Sequence, residues 1–245
     1  MLALLKPIFY TPLYNGLIFL MGVLPNAGVA VILLTLLVKI ALFPLSQKAS
    51  RLQFLMKKYE GEINEIKAKH GKDKQAQGKA ILDFYREKKL NPFAGFLSVL
   101  IQIPLVISLY YIFYGGGLPQ VDSALLYSFV HIPEVNMHFL GVDIGGKNML
   151  LAILAGVTQY LQAHALSVPL KPRGENATMG EDLARSMQLQ MKYLLPVFIV
   201  FVAYASSGAV ALYLITSNLF AAVQELYLRR QLSSVKSKSE IPVIS

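Results

Sequence analysis

Five apolar runs punctuate this chain, at roughly 28–45, 93–114, 148–166, 193–206 and 208–228. About 20 apolar residues in a helix cross the hydrocarbon core of a bilayer. Lipid offers no partner to a backbone N–H or C=O, so each run is expected to be a helix. The last two runs cannot form one helix, because the 36 residues from 193 to 228 would reach about 54 Å, far beyond a core of about 30 Å. Ser206-Ser207-Gly208 separates them, so a tight helical hairpin with a short first arm is predicted. A short span implies local thinning of the bilayer or ends covered by protein. Charged residues make up 15% of the chain where a soluble domain carries roughly 25%. The expected class is an all-α polytopic membrane protein.

The positive charges set the orientation. Segment 46–91 holds twelve Lys and Arg against six acids. Segment 115–147 holds Lys147 against Asp122, Glu134 and Asp143. Positive loops stay inside, which places the first segment in the cytoplasm and the second outside. Loop 167–192, with Lys171, Arg173, Arg185 and Lys192, then falls inside with the tail of Arg229, Arg230, Lys236 and Lys238, as five alternating spans require. The net charge of +9 therefore reads as topology and not as sequence-specific nucleic-acid binding. The absence of cysteine excludes disulfides, thiolate metal sites, a lipid-anchored N-terminal cysteine and a catalytic thiol. Lys6 is the one positive charge before the first run, and no small-x-small cleavage site follows. The reading is a multi-pass protein of a bacterial plasma (inner) membrane, with a mature N-terminus at or near Met1 on the outer side.

Residues 1–24 admit two readings. Leu2, Leu4, Leu5, Ile8, Phe9, Leu13, Leu17, Phe19 and Leu20 suit an amphipathic helix lying on the membrane and equally a sixth span. Either leaves 46–91 inside. That segment reads as a basic helical hairpin. Leu52, Leu55, Tyr59, Ile63 and Ile66 recur at helical steps. His70-Gly71-Lys72-Asp73 breaks the pattern, and Ile81, Phe84, Tyr85 and Lys88 resume it until Asn91-Pro92. Such an arm can rest on anionic headgroups or serve as a docking arm for a nascent chain or ribosome.

Lys39 is the anomaly, a fixed charge inside the first apolar run. Ionisable groups within a span are expensive and normally face a protein interior or a watery cavity. Thr35 lies one turn away on the same face. Polar residues recur in the other runs: Ser98 and Gln102, then Thr158, Gln159 and Gln162, then Thr216, Ser217, Asn218 and Gln224. One reading is a wet cavity lined by Lys39, Gln102, Gln159, Gln162 and Asn218. The other is that Lys39, five residues before Pro44, snorkels to the cytoplasmic surface while the polar groups make ordinary interhelical hydrogen bonds. Glu225 is the only acid within a run and lies near the cytoplasmic end, so an ammonium at 39 needs water.

Other patterns carry less. Gly141 to Asn148 nearly spells a phosphate-binding loop, but Asn148 stands where Ser or Thr would hold magnesium and no strand is expected before it. A glycine turn leading into a span is the expectation. His70, His131, His138 and His164 lack ligand spacing, and Ser206-Ser207-Gly208 is a turn and not a nucleophile elbow. Asn176-Ala-Thr178 falls on a cytoplasmic loop. Tyr110, Tyr111 and Tyr114 suit an interfacial belt. No metal or cofactor is expected.

The order of these features resembles a known family. A run ending Val38-Lys39-Ile-Ala-Leu-Phe-Pro44-Leu45 precedes a basic hairpin, then Leu90-Asn91-Pro92 and Leu100-Ile-Gln102-Ile-Pro104. Pro196, Ser207-Gly208 and Leu212-Tyr213-Leu-Ile-Thr-Ser217-Asn218-Leu219 follow. Over about residues 7–230 this is similar to the YidC family of membrane-protein insertases. The resemblance implies five transmembrane helices, an outer interfacial amphipathic helix and a cytoplasmic helical hairpin. It also implies a hydrophilic groove open to cytoplasm and lipid but closed outside. The groove's basic residue would be Lys39, with Thr35 on its face and Gln102, Ser217 and Asn218 nearby. Most of the family has arginine where this chain has Lys39, which keeps the charge but loses the planar fork. The chain also lacks the large extracytoplasmic domain of some members.

The resulting expectation divides the chain into an interfacial helix (1–24), a first span (25–45), the hairpin (46–91) and a second span (92–114). An outer loop (115–147), a third span (148–166), an inner loop (167–192), a paired fourth and fifth span (193–228) and a basic tail (229–245) complete it. The function implied is a non-enzymatic insertase and chaperone acting on nascent membrane proteins in the lipid bilayer. Ribosome or signal-recognition components at the hairpin, and the Sec translocon, are further partners that the resemblance suggests. A small-molecule or ion transporter is the alternative from another class. It would show inverted repeats and paired intramembrane charges, and neither is visible in the sequence. An assembly chaperone that holds helices without moving them would need the same groove.

Overall fold

The computed structural model describes residues 6–71, 73–88, 90, 104–113, 118, 120–166, 185–186 and 188–236. Among these the chain is helical apart from the loop at 120–148, which carries one 3-10 turn and one hairpin of two-residue strands, and short breaks between helices. The described residues are mostly helical, which is compatible with the all-α class expected from sequence. It folds as two compact units, one of residues 1–41 and 104–225, the other of residues 42–103 and 226–245.

In the first unit a π-turn at Lys6–Tyr10 leads into α1 (Thr11–Val23), with a proline in its first turn. Leu13, Tyr14, Leu17, Ile18 and Met21 are buried, and α1 packs on α2 (Ala27–Ala41). Asn26 caps α2 by accepting from the Val29 N–H at 3.0 Å. The apolar run continues to residue 45, yet α2 stops at Ala41 and a turn falls at Leu42. The reason is Pro44, which has no N–H for the carbonyl of residue 40 and disfavours helix at the residue before it. It sits instead in the first turn of the next helix, where a missing N–H costs nothing.

Residues Pro104–Phe113 form α6, after the three helices of the second unit. Strands β1 (His138–Phe139) and β2 (Val142–Asp143) pair antiparallel, with His138 opposite Asp143 and Phe139 opposite Val142. Helices α7 (Met149–Leu166) and α8 (Leu195–Ala205) pack together, and α9 (Gly208–Lys236) follows α8 after a break at Ser206 and Ser207. The glycine-rich stretch at 141–148 is a hairpin turn followed by a helix cap. Gly145 N–H donates to Asp143 Oδ1 at 2.8 Å, and Leu151 N–H donates to Asn148 Oδ1 at 2.9 Å.

The α7–α8 pair is apolar outside and small or polar inside. Leu150, Ile153, Leu154, Val157 and Leu161 of α7 are exposed, as are Val197, Phe198 and Phe201 of α8. Ala152, Ala155 and Thr158 are buried, and a side chain at Gly156 would run into Val200 and the Pro196 carbonyl. This reverses the soluble pattern and matches helices packed in lipid, where small residues let backbones approach closely. Among the described residues, Gly208–Gln231 alone is long and apolar enough to cross a bilayer unaided. Helix α2 and the start of α3 (Phe43–Lys58) pass that test together across their break, and α6, α7 and α8 are shorter apolar helices.

In the second unit, α3 leads through a turn at Tyr59 into α4 (Glu60–His70), and α5 (Lys74–Glu87) folds back on α4. Gly71 at φ 42° ends α4, and the Asp73 carboxylate starts α5 by accepting from the Gln75 and Ala76 N–H groups. Acids Glu60 and Glu62 open α4 while Lys67, Lys69 and His70 close it, each sign opposing the helix dipole. Phe84 is buried edge-on to Tyr59, with ring centres 5.7 Å apart.

Candidate functional site

Helix α2 carries the one charge of the candidate site. Thr35 is 4% exposed, and its hydroxyl donates to the Val31 carbonyl at 2.6 Å, so it is satisfied within its own helix. Lys39 lies one turn further and is partly buried. Arg86 pairs with Asp83 and Lys88 with Glu62, and among the described residues no ion pair involves the Lys39 ammonium. From Ala27 to Lys39 the helix rises about 18 Å, which puts the charge in the last turn of an apolar helix.

The second group of polar side chains lies where α7 meets α9. Asn218 is 4% exposed, and its amide nitrogen stands 3.4 Å from both Thr158 Oγ1 and the Ala155 carbonyl. Thr158 donates in turn to Ala155 O at 3.0 Å. The two Asn218 contacts are interhelical bonds of the kind expected when polar groups are buried between apolar helices. Ser217 is buried beside Asn218, while Gln159 and Gln162 are partly exposed on α7. Gln102 lies outside the described residues.

The structure thus joins Asn218 to Thr158. No described hydrogen bond ties Lys39 to Gln159, Gln162, Ser217 or Asn218. The sequence reading marked Thr158 without placing it in the site. It quoted Tyr213 in a motif but did not place it in the site; Tyr213 is buried one turn before Ser217, and its hydroxyl has no hydrogen-bond partner within 3.5 Å among the described residues. The Ser217 hydroxyl is a polar neighbour on the same helix. The available signal was the four-residue spacing of Tyr213 and Ser217, which places both on one face.

At the opposite end, one loop is bonded to the starts of α2 and α9. Residue 136 accepts from the Ala27 N–H at 2.8 Å, at the start of α2. The carbonyls of Gly146 and Ile144 accept from Gly208 and Ala209, both at 2.8 Å, at the start of α9. Helix N-termini leave such N–H groups without intrahelical partners, and here the loop backbone supplies them. Asn15 of α1, 2% exposed, donates to the Leu125 carbonyl at 2.9 Å and accepts from the Tyr127 N–H at 2.6 Å. Tyr14 accepts from the Asp122 N–H at 2.7 Å.

A partly buried charge in an apolar helix, buried polar bonds between helices and a loop bonded to helix starts are compatible with a helical membrane protein. A family model described as 60Kd inner membrane protein matches residues 19–236. Among curated proteins, a Membrane protein insertase YidC of Fusobacterium nucleatum subsp. nucleatum is 28% identical over 206 residues, covering 84% of this chain and 87% of that protein. Proteins of the same name from Oleidesulfovibrio alaskensis and Alkalilimnicola ehrlichii are 28% and 27% identical over 222 and 239 residues. This chain covers 38% and 36% of their lengths, a little over a third. The chain belongs to the 60Kd inner membrane protein family.

Proposed function

We propose that this protein is a membrane protein insertase that accepts nascent membrane proteins through a polar groove centred on Lys39. The observation that carries the reading is a family match over residues 19–236, on a chain whose one charge in its first apolar helix has no described counter-charge. In this reading the protein sits in the inner membrane with five spans. Helix α1 lies at the outer interface, and the hairpin of α4 and α5 and the C-terminus are cytoplasmic. Lys39, Thr35, Gln102, Gln159, Gln162, Ser217 and Asn218 line the groove, with the loop seal closing its outer end.

The physics suits the task. Inserting a span means carrying a hydrophilic end across an apolar barrier, and a short wet groove shortens the distance. At about 4 Å and an effective dielectric near 20, a unit charge pair is worth about 4 kcal/mol. Lys39 can thereby draw an acidic segment inward. The apolar part of the substrate then leaves for lipid, which releases the tail. Partition drives the cycle, so the protein acts without chemical turnover. The hairpin, with its basic surface, is the surface for ribosome, signal-recognition or Sec components. A transporter is not favoured, because the similar curated proteins are named insertases.

The test uses purified protein in liposomes with a single-spanning substrate bearing an acidic outer tail, scored by protease protection. Wild type should protect, and Lys39→Ala should protect several-fold less while keeping its thermal stability in detergent. Lys39→Arg should restore protection. Equal protection by wild type and Lys39→Ala would remove the charge from the mechanism. No protection above empty liposomes would overturn autonomous insertion.

A further inference from the structure

The β1–β2 turn is built against the ordinary preference of its sequence. Its two central residues, Leu140 and Gly141, have φ of 51° and 79°. Positive φ at both positions of a two-residue hairpin loop is the type I′ geometry, which favours Asn-Gly. A leucine there meets the steric penalty of the left-handed region. Leu140 is also 87% exposed, so it gains nothing from packing against the protein. Such an outlier points toward function.

The turn is rigidly mounted. Phe139 lies against Gly28 in the first turn of α2, so closely that a Cβ there would overlap its ring. Past the hairpin, Ile144 donates its N–H to the Met137 carbonyl at 3.0 Å, and its own carbonyl caps α9. The tip is therefore fixed at the ends of two apolar helices. The polar pair His138 and Asp143 forms the hairpin's base, with the leucine beyond it. The same loop rests Pro133 near Gly22, next to exposed Ile132 and Val23. A lone leucine on a two-residue tip is far too small for a stable protein interface. It suits the boundary between headgroups and acyl chains, which is continuous with the apolar exterior of the helices.

We propose that the Leu140–Gly141 turn is a lipid contact, seating Leu140 among the acyl chains of the adjacent leaflet and fixing the depth of the loop beside α2. This rests on the membrane reading of the helices, and the test separates the two. The chain has no tryptophan and no cysteine, so a single reporter is unambiguous. Leu140→Trp would be reconstituted in liposomes containing lipids brominated near the headgroup end of the acyl chains. Phe198→Trp, on the exposed face of α8, is the membrane control. The expected result is blue-shifted emission from Leu140→Trp that loses most of its intensity to the brominated lipid and resists aqueous iodide. Red emission quenched by iodide, with Phe198→Trp quenched by lipid, would overturn the lipid contact alone. Failure of both reporters to sense lipid would overturn the membrane reading itself. Leu140→Cys with a spin label gives the same depth by its relative accessibility to oxygen and to a water-soluble nickel complex. It keeps the result decisive if tryptophan disturbs the turn, and a label more accessible to nickel than to oxygen would overturn the proposal.

Discussion

The loop at 120–148 and the basic hairpin are both polar excursions between apolar helices, yet they are held in opposite ways. The loop at 120–148 is bound to helix ends by backbone groups and by buried side chains such as Asn15 and Tyr14. The hairpin of α4 and α5 holds itself by a few contacts at its base. There Lys88 lies 3.3 Å from Glu62 and over the rings of Tyr59 and Phe84 at 5.2 and 5.4 Å. Buried backbone bonds resist opening, whereas an exposed ion pair is worth little. The difference is one of fastening: buried main-chain bonds hold the loop, and an exposed side-chain pair helps hold the hairpin.

The comparison breaks most visibly at Asn15. Asn15→Leu strands the Leu125 carbonyl and the Tyr127 N–H together. It should cost about 3 kcal/mol, read as a lower denaturation midpoint in detergent. A loss no larger than that of a surface substitution would mean that the loop is not held by α1. Gly208→Ala strikes the other mooring, because its Cβ would meet Ile144 Cα at 2.9 Å and the Ile144 carbonyl at 3.2 Å. About 2 kcal/mol is expected for such crowding, together with faster hydrogen exchange at the Gly208 and Ala209 amides. Unchanged exchange would show that the seal yields without opening.

The smallest effect belongs to the hairpin. The hydrogen bond to Glu62 raises the Lys88 pKa above the ordinary lysine value, against a smaller opposing effect of burial. A raised lysine pKa stabilises the folded arm fully below the unfolded pKa and is lost as pH climbs through the folded one. Thermal unfolding of wild type and Lys88→Met should therefore differ by a small, constant amount near neutral pH. The two should converge only in strongly alkaline solution. Convergence near neutrality would mean that another group governs the latch.

Much of the helical framework was legible because its signals are local. The apolar runs, the break around Gly71 and the interruption at Ser206 and Ser207 are written in neighbouring residues. The stop at Ala41 was legible in principle from Pro44, but the apolar run continues past it and masks the signal. The candidate site was only partly legible. Thr35 and Lys39 share a face by spacing alone, whereas the bond between Thr158 and Asn218 joins residues 60 apart. The contact of Asn15 with Leu125 spans 110 positions. Pairings at such separations leave no periodic trace, and main-chain acceptors such as Gly146 O leave no trace in residue type.

That last point has a consequence for how such a molecule can change. At the starts of α2 and α9, the joints are carbonyls of residues 136, 144 and 146 receiving helix N–H groups. Every amino acid carries a carbonyl, so these joints depend on the path of the chain and scarcely on its spelling. Substitutions that respect the path, including the glycines that permit close approach, can accumulate around them while the gasket survives. Insertions or deletions of a single residue between 136 and 146 would shift the register of every joint at once.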